Sequence, residues 1–314
     1  MTYPDNEVGK PVSPNPAFND LYQSVLNIKT GPGLDWEKSF CKVKTDWALT
    51  YDDGPSQYTP DVVEQLTKRN FKGTFFVVGS QVKKHPEILL KAYQAGMEIG
   101  IHTWTHPVMT TLSNEQIVAE LMYTYHIIKD IIGVECRYFR APYGTTDGRL
   151  RGVAQALGFV MIRWNRDTGD ATTNGRSLKP QFDAFMKQPI VGTISLEHDL
   201  HLETAQLASY GMDKLSKSPY SEKTVSECIG EQPYRKVEKV PTTTLLSKVP
   251  TTTVLSTISI QPSSTSIPHP LTSVTPATFS SIPASSMHTQ PTTRPAQSSS
   301  TKLCFSAWIL LLMI

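Results

Sequence analysis

The chain has 314 residues, 39% of them hydrophobic and 18% charged, with a formal net charge of +2. So small a charge, carried by scattered lysines with no basic stripe among aromatics, gives no reason to expect a nucleic-acid partner. The composition also changes along the chain: 41–230 alternates apolar runs with amphipathic stretches, whereas 231–302 is almost entirely Ser, Thr, Pro and small residues. One globular domain with a long unfolded tail is the simplest reading.

In chain order, residues 1–40 are expected to form an extension ahead of the domain. The opening MTYPDNEVGK has no apolar h-region and does not read as a signal peptide. Strand-like runs then follow at 46–51, 73–80, 98–103, 138–144, 160–165 and 192–199. Helical patterns lie between and after them, over 60–70, 81–95, 114–132, 147–157, 176–187 and 203–216. The one starting at Asn114 has a capping-box signature, Ser113 with Gln116, and stops at Gly133. Strand–helix alternation predicts an α/β fold with a parallel sheet or barrel. In a β/α barrel the strand ends share one face, where active sites are built.

The residues with chemistry fall at those strand ends. Asp52-Asp53-Gly54 closes the first run; two adjacent carboxylates repel unless something positive stands nearby, although Asp-Gly-Pro is also ordinary turn chemistry. His102 and His106 are four residues apart, so one helical turn would aim both rings at a shared metal. With 8 histidines in the chain such a pair also arises by chance. One carboxylate could complete a His-His-Asp metal set, leaving the other to act as a general base on water.

The ordered set Thr50-Tyr-Asp52-Asp53-Gly54, His102-Thr-Trp-Thr-His106, Arg140-Ala-Pro142-Tyr143, Asp167-Thr-Gly-Asp170 and Leu196-Glu-His198 resembles the motifs of the NodB-homology polysaccharide deacetylases, carbohydrate esterase family 4. The resemblance spans roughly 45–217, and the flanking text through Cys228-Ile-Gly230 is most similar to fungal chitin deacetylases. It implies a distorted (β/α) barrel followed by a disordered Ser/Thr/Pro-rich tail. It also implies a divalent metal on Asp53, His102 and His106, usually zinc in that family, with cobalt as the alternative. Asp52 would be the base, with Arg140 pairing to it, and the Tyr143 backbone N–H would meet the charge developing on the carbonyl oxygen. His198 would be the acid, supported by Asp170 or by Asp167. Pro142, Tyr143 and Leu196 would bind substrate, Leu196 receiving the acetyl methyl. The implied reaction is removal of N-acetyl groups from a polymer of N-acetylglucosamine such as chitin; acetylxylan and peptidoglycan are the alternatives.

One departure stands out: where the family carries Trp after the second Asp of its fourth motif, this chain has Ala171. Altered or weaker substrate positioning follows, and a glycan-binding wall protein without activity is the rival reading. A non-haem iron oxygenase would also use two His and one carboxylate, but it has no need of the spare Asp52 or of His198.

None of the four cysteines forms a C-x-x-C pair; Cys41 and Cys228 bracket the domain and are the candidates for a disulfide, with two separate buried thiols as the alternative. In the tail, KVPTTTLLS at 239–247 is repeated as KVPTTTVLS at 248–256, which reads as part of an O-glycosylated stalk over 231–302. Residues 303–314, LCFSAWILLLMI, are too short to span a bilayer, which takes about 20 residues, and read as a GPI-attachment signal. The expected product is a monomer, lipid-anchored on the extracellular face of the plasma membrane within the cell wall. A leader is therefore expected to be missing from this N-terminus.

Overall fold

The computed structural model describes residues 1–237; the expected stalk from 238 onward and the 303–314 tail lie outside the described residues. The strands are β1 (Asp46–Asp52), β2 (Thr74–Val77), β3 (Glu98–Ile101), β4 (Val134–Cys136), β5 (Tyr138–Phe139), β6 (Val160–Met161), β7 (Arg166–Asp167), β8 (Thr193–His198), β9 (Ser221–Lys223) and β10 (Tyr234–Val237). The main sheet runs β6-β5-β3-β2-β1-β8-β7, with β9 also on β1, and all its pairings are parallel. Among the described residues, the outermost strands β6 and β7 are joined by the link 162–165 and not by a ladder. The result is a distorted, unclosed (β/α) barrel.

β1 lies between β2 and β8 and is buried along its whole length, as expected for a central parallel strand covered on both faces. Trp47 packs against Phe182 and edge-on against Tyr220, with ring centroids 5.9 and 4.9 Å away. The helix Asn114–Ile132 starts at the Ser113–Gln116 capping box and ends where Gly133 turns left-handed, φ 73°.

Several elements differ from the sequence expectation. The 73–80 run is a strand only to Val77, because the helix Gly79–Lys84 begins at once. The helical pattern over 81–95 breaks at His85, ahead of Pro86, where proline disfavours the helical region for its predecessor. The 138–144 run stops at Phe139 and the 160–165 run at Met161. The short helix Asp170–Thr173 and strands β4, β7, β9 and β10 were not legible as separate elements.

Residues 1–40 pack into the domain: Val12, Phe18, Tyr22 and Val25 are all buried in the main core. At the other end β10 pairs antiparallel with β4, so the first residues of the expected stalk stretch belong to the sheet structure. Cys41 and Cys228 are joined by a disulfide across a sequence separation of 187. It ties the segment entering β1 to the helix Val225–Ile229.

Candidate active site

Because the strands are parallel, their C-terminal ends lie on one face. Asp52 ends β1, His198 ends β8, Asp167 ends β7, and His102 and Arg140 follow β3 and β5 directly. β1 and β8 are in register with Asp52 opposite His198.

Asp52 is buried and faces a buried cation. Arg140 Nη1 donates to its Oδ1 at 2.8 Å and to Thr50 Oγ1 at 2.7 Å. The Arg140 guanidinium also donates to the carbonyls of Ile162 and Arg163, and it lies 4.1 Å over the Phe76 ring and 5.4 Å from Trp164. Burial lowers its pKa, opposed by the charge and hydrogen bond of Asp52.

Beside this pair stand Asp53, His102 and His106, whose ligand atoms all lie within 4.8 Å of one another. Asp53 Oδ1 is 3.4 Å from His102 Nε2 and 3.2 Å from His106 Nε2, and is buried without a hydrogen-bond partner of good geometry. The Arg140 carbonyl lies 2.9 Å from His102 Nδ1, so Nδ1 carries the proton and the Nε2 lone pair faces the carboxylates. Burial and the neighbouring His102 push His106 down to about 4. Burial would raise the Asp53 carboxyl, but the two imidazoles hold it well below the usual carboxylate range. An orphaned carboxylate oxygen flanked by two imidazole nitrogens fits a divalent metal with positions left for water and substrate.

The helical turn expected between the two histidines is not formed. Thr103 and His106 are left-handed, φ 67° and 57°, and the loop brings the rings to 4.9 Å by folding back on itself. Asp53, also left-handed at φ 79°, turns its carboxylate away from the line of β1 toward them.

His198 is held from one side. Its Nδ1 lies 2.8 Å from Asp170 Oδ1 and its backbone N–H donates to Asp170 Oδ2 at 2.9 Å. Thr168 Oγ1 and the Ala171 N–H, both at 3.0 Å, complete the partners of Asp170, which is fully buried. Burial opposes charging the ring, but the Asp170 hydrogen bond and charge outweigh it and bring His198 to about 9. Asp167 is not brought to His198: it is exposed and its Oδ1 accepts the Gly169 N–H at 2.8 Å, closing a local turn.

Asp52, Asp53, His102, His106, Asp167 and His198 line one pocket of about 410 Å³, with Arg140 and Asp170 behind its wall residues. One wall carries His106, Tyr143 and Trp164; Gly169, Ala171 and Thr172 supply small side chains elsewhere, and Leu196 lies among them. Tyr143 is left-handed at φ 58° and stands edge-on to His106, centroids 4.7 Å apart. Pro142, expected to bind substrate, is buried at the start of the turn that presents Tyr143, and does not line the pocket. Trp164 and Thr50 were missed by the sequence reading. Trp164 lay inside an apparent strand run; the link 162–165 instead carries it to the pocket mouth, where it packs on Gly144 so closely that an added Cβ would come within 2.7 Å.

Residues 41–162 match the family model described as Polysaccharide deacetylase. Chitin deacetylase 1 of Cryptococcus neoformans var. grubii serotype A is 38% identical over 231 residues, covering 66% of this chain and 49% of that protein. The solved chitin deacetylase of the fungal pathogen Colletotrichum lindemuthianum is similar with a TM-score of 0.59 at 29% identity, over 63% of this chain and 94% of that one. Peptidoglycan deacetylase PdaC from Bacillus subtilis gives 0.53 at 32% identity, over 59% and 89%. The chain spans about half the length of curated relatives that it matches, 49% for three chitin deacetylases. With its parallel half-barrel and these matches, the chain belongs to the NodB-homology polysaccharide deacetylases, carbohydrate esterase family 4.

Proposed function

We propose that this chain hydrolyses N-acetyl groups on a polymer of N-acetylglucosamine, with chitin as the polymer. The observation that supports this best is one pocket holding a paired carboxylate, Asp52, and a paired imidazole, His198, beside the Asp53–His102–His106 set. Asp53, His102 and His106 would hold a divalent cation, which would supply Lewis acidity toward the acetamide carbonyl and toward the attacking water.

The side chains supply the remaining chemistry. Asp52, positioned by Arg140, takes the proton of the attacking water. Tyr143 contributes its backbone N–H to the carbonyl oxygen as charge develops there. His198 keeps Nδ1–H on Asp170 and delivers the proton on Nε2 to the leaving nitrogen, so the C–N bond breaks to acetate and free amine. Leu196 receives the acyl methyl. Tyr143 and Trp164 offer the aromatic surface on which a sugar ring rests. The same proposal includes zinc as the metal, a monomeric domain, an O-glycosylated stalk and GPI anchorage outside the cell.

Acetate release by metal-loaded protein on chitin oligomers, acetylxylan and peptidoglycan tests this reading. Release is expected on the chitin oligomers foremost. The small-residue wall at Ala171 keeps a second reading open, a wall protein that binds glycan without cleaving it. Binding of the oligomers with no acetate from any of the three polymers would establish that alternative.

A further inference from the structure

The loop between the two candidate ligand histidines is gripped from both sides. Glu120, on the helix Asn114–Ile132, is fully buried. Its Oε2 accepts the backbone N–H groups of Trp104 and Thr105, both at 2.8 Å. Its Oε1 accepts the Thr105 hydroxyl at 2.7 Å and the Val12 N–H at 2.9 Å. The loop carbonyls are also taken: Thr103 by Gly79 N–H at 2.9 Å, Trp104 by Ser80 N–H at 3.0 Å, and Thr105 by Gly9 N–H at 2.6 Å. Every backbone N–H and C=O of Trp104 and Thr105 is therefore paired. Tyr3 adds a stacked ring on Trp104, centroids 5.6 Å apart and 9° between planes.

Two of these contacts and the stacked ring come from residues 3–12, well before the stretch 41–162 that matches the family model. The loop needs such support. Thr103 and His106 both hold left-handed backbones, which are strained for residues with a Cβ and persist only where the surroundings over-determine them.

We propose that Glu120 and the arm of residues 3–12 are positioning elements of the metal set. They act through the Trp104–Thr105 backbone to keep His102 and His106 converged on Asp53. The inference rests on those three residues being metal ligands. Without the brace the loop relaxes toward ordinary backbone angles, and the imidazoles separate before the barrel itself unfolds.

Zinc affinity of the full chain, measured by competition with a chromophoric chelator, tests this, with circular dichroism and the thermal midpoint recorded alongside. Glu120→Gln sets an amide donor against backbone donors; it is expected to weaken zinc binding by roughly 10- to 100-fold, the usual cost of losing an outer support of a ligand. Val12→Pro removes the arm's N–H donor to Glu120 together with a buried side chain, so its zinc affinity is read beside its thermal midpoint; binding should weaken several-fold. Phe18→Ala, which removes a core contact of the arm's continuation with Tyr123, should lower the thermal midpoint and leave zinc affinity alone.

Wild-type zinc affinity in a folded Glu120→Gln variant and in Val12→Pro overturns the inference and leaves the metal reading standing. An equal loss in Phe18→Ala also overturns it, since the effect would then be general destabilisation. If Glu120→Gln does not fold, Val12→Pro decides in the same two directions. A wild-type chain that binds no zinc removes the metal reading, and the inference with it.

Discussion

Asp52 and His198 are register partners on adjacent parallel strands, β1 and β8, so their side chains leave the sheet on the same face. Each is then held by one buried partner, Asp52 by Arg140 and His198 by Asp170. Asp52→Asn keeps the shape and loses the base: acetate release is expected to fall by about 10²–10⁴-fold. Zinc binding should survive, because Asp53, not Asp52, sits between the imidazoles. A fully active variant would refute the assigned base.

The Asp170 carboxylate gives the reaction an alkaline limb. Burial works against a charged His198, but Asp170 outweighs it and brings the ring to about 9. In the proposed reaction the protonated ring is the acid, so kcat should decline as pH rises through about 9. In Asp170→Asn that hydrogen bond and charge are gone and only the Asp53 and Asp52 charges still oppose the burial effect, so the limb should move to lower pH. A pH–rate profile whose alkaline limb does not move in the variant would rule out His198 as the group titrating there.

At the pocket rim, Ala171 places a methyl beside Thr172. Ala171→Trp should add an aromatic face for the sugar, a contact worth about 0.5–1.5 kcal/mol. KM on defined chito-oligomers is then expected to fall by up to about tenfold, with a changed product pattern. Identical kinetics and products in the two proteins would show that this wall has no part in positioning substrate.

Asp199 is fully buried behind the Asp52–Gly54 turn, with Oδ2 accepting from Thr59 at 2.5 Å and Oδ1 unpaired. Burial lifts its carboxyl from 3.8 to about 7, against the smaller lowering by the Thr59 hydrogen bond. Between those values the folded chain keeps a proton that the unfolded chain has released, so stability falls as pH rises through the window. Asp199→Asn does not titrate. Its stability relative to wild type should grow from pH 4 to pH 8, bounded at about 4 kcal/mol by roughly 1.36 kcal/mol per pH unit. Urea unfolding at both pH values measures it; a constant difference would mean that Asp199 is ionised throughout.

Much of this was legible without coordinates because strand-to-helix alternation is a local signal. The apolar runs ahead of Asp52, His102 and His198 set β1, β3 and β8, and parallel order then places their ends together. The helix Asn114–Ile132 was readable to the residue, since its cap and its stop are both written in side chains. Short strands were not: β4, β7 and β9 are two or three residues long and owe their existence to neighbours, not to propensity.

Strand-end position and spacing singled out Asp52, Asp53, His102 and His106, and the family resemblance added Tyr143, Leu196 and His198 to the same pocket. Only the tertiary structure decided how they are aimed. Left-handed backbone at Asp53, Thr103 and His106 converges the candidate metal set where a helical turn was expected, and distant contacts hold such angles in place. The local turn that occupies Asp167 leaves His198 to Asp170. Glu120 reaches Val12 across 108 residues of sequence. No local pattern encodes such a contact, because it exists only once the barrel has brought both ends of it together.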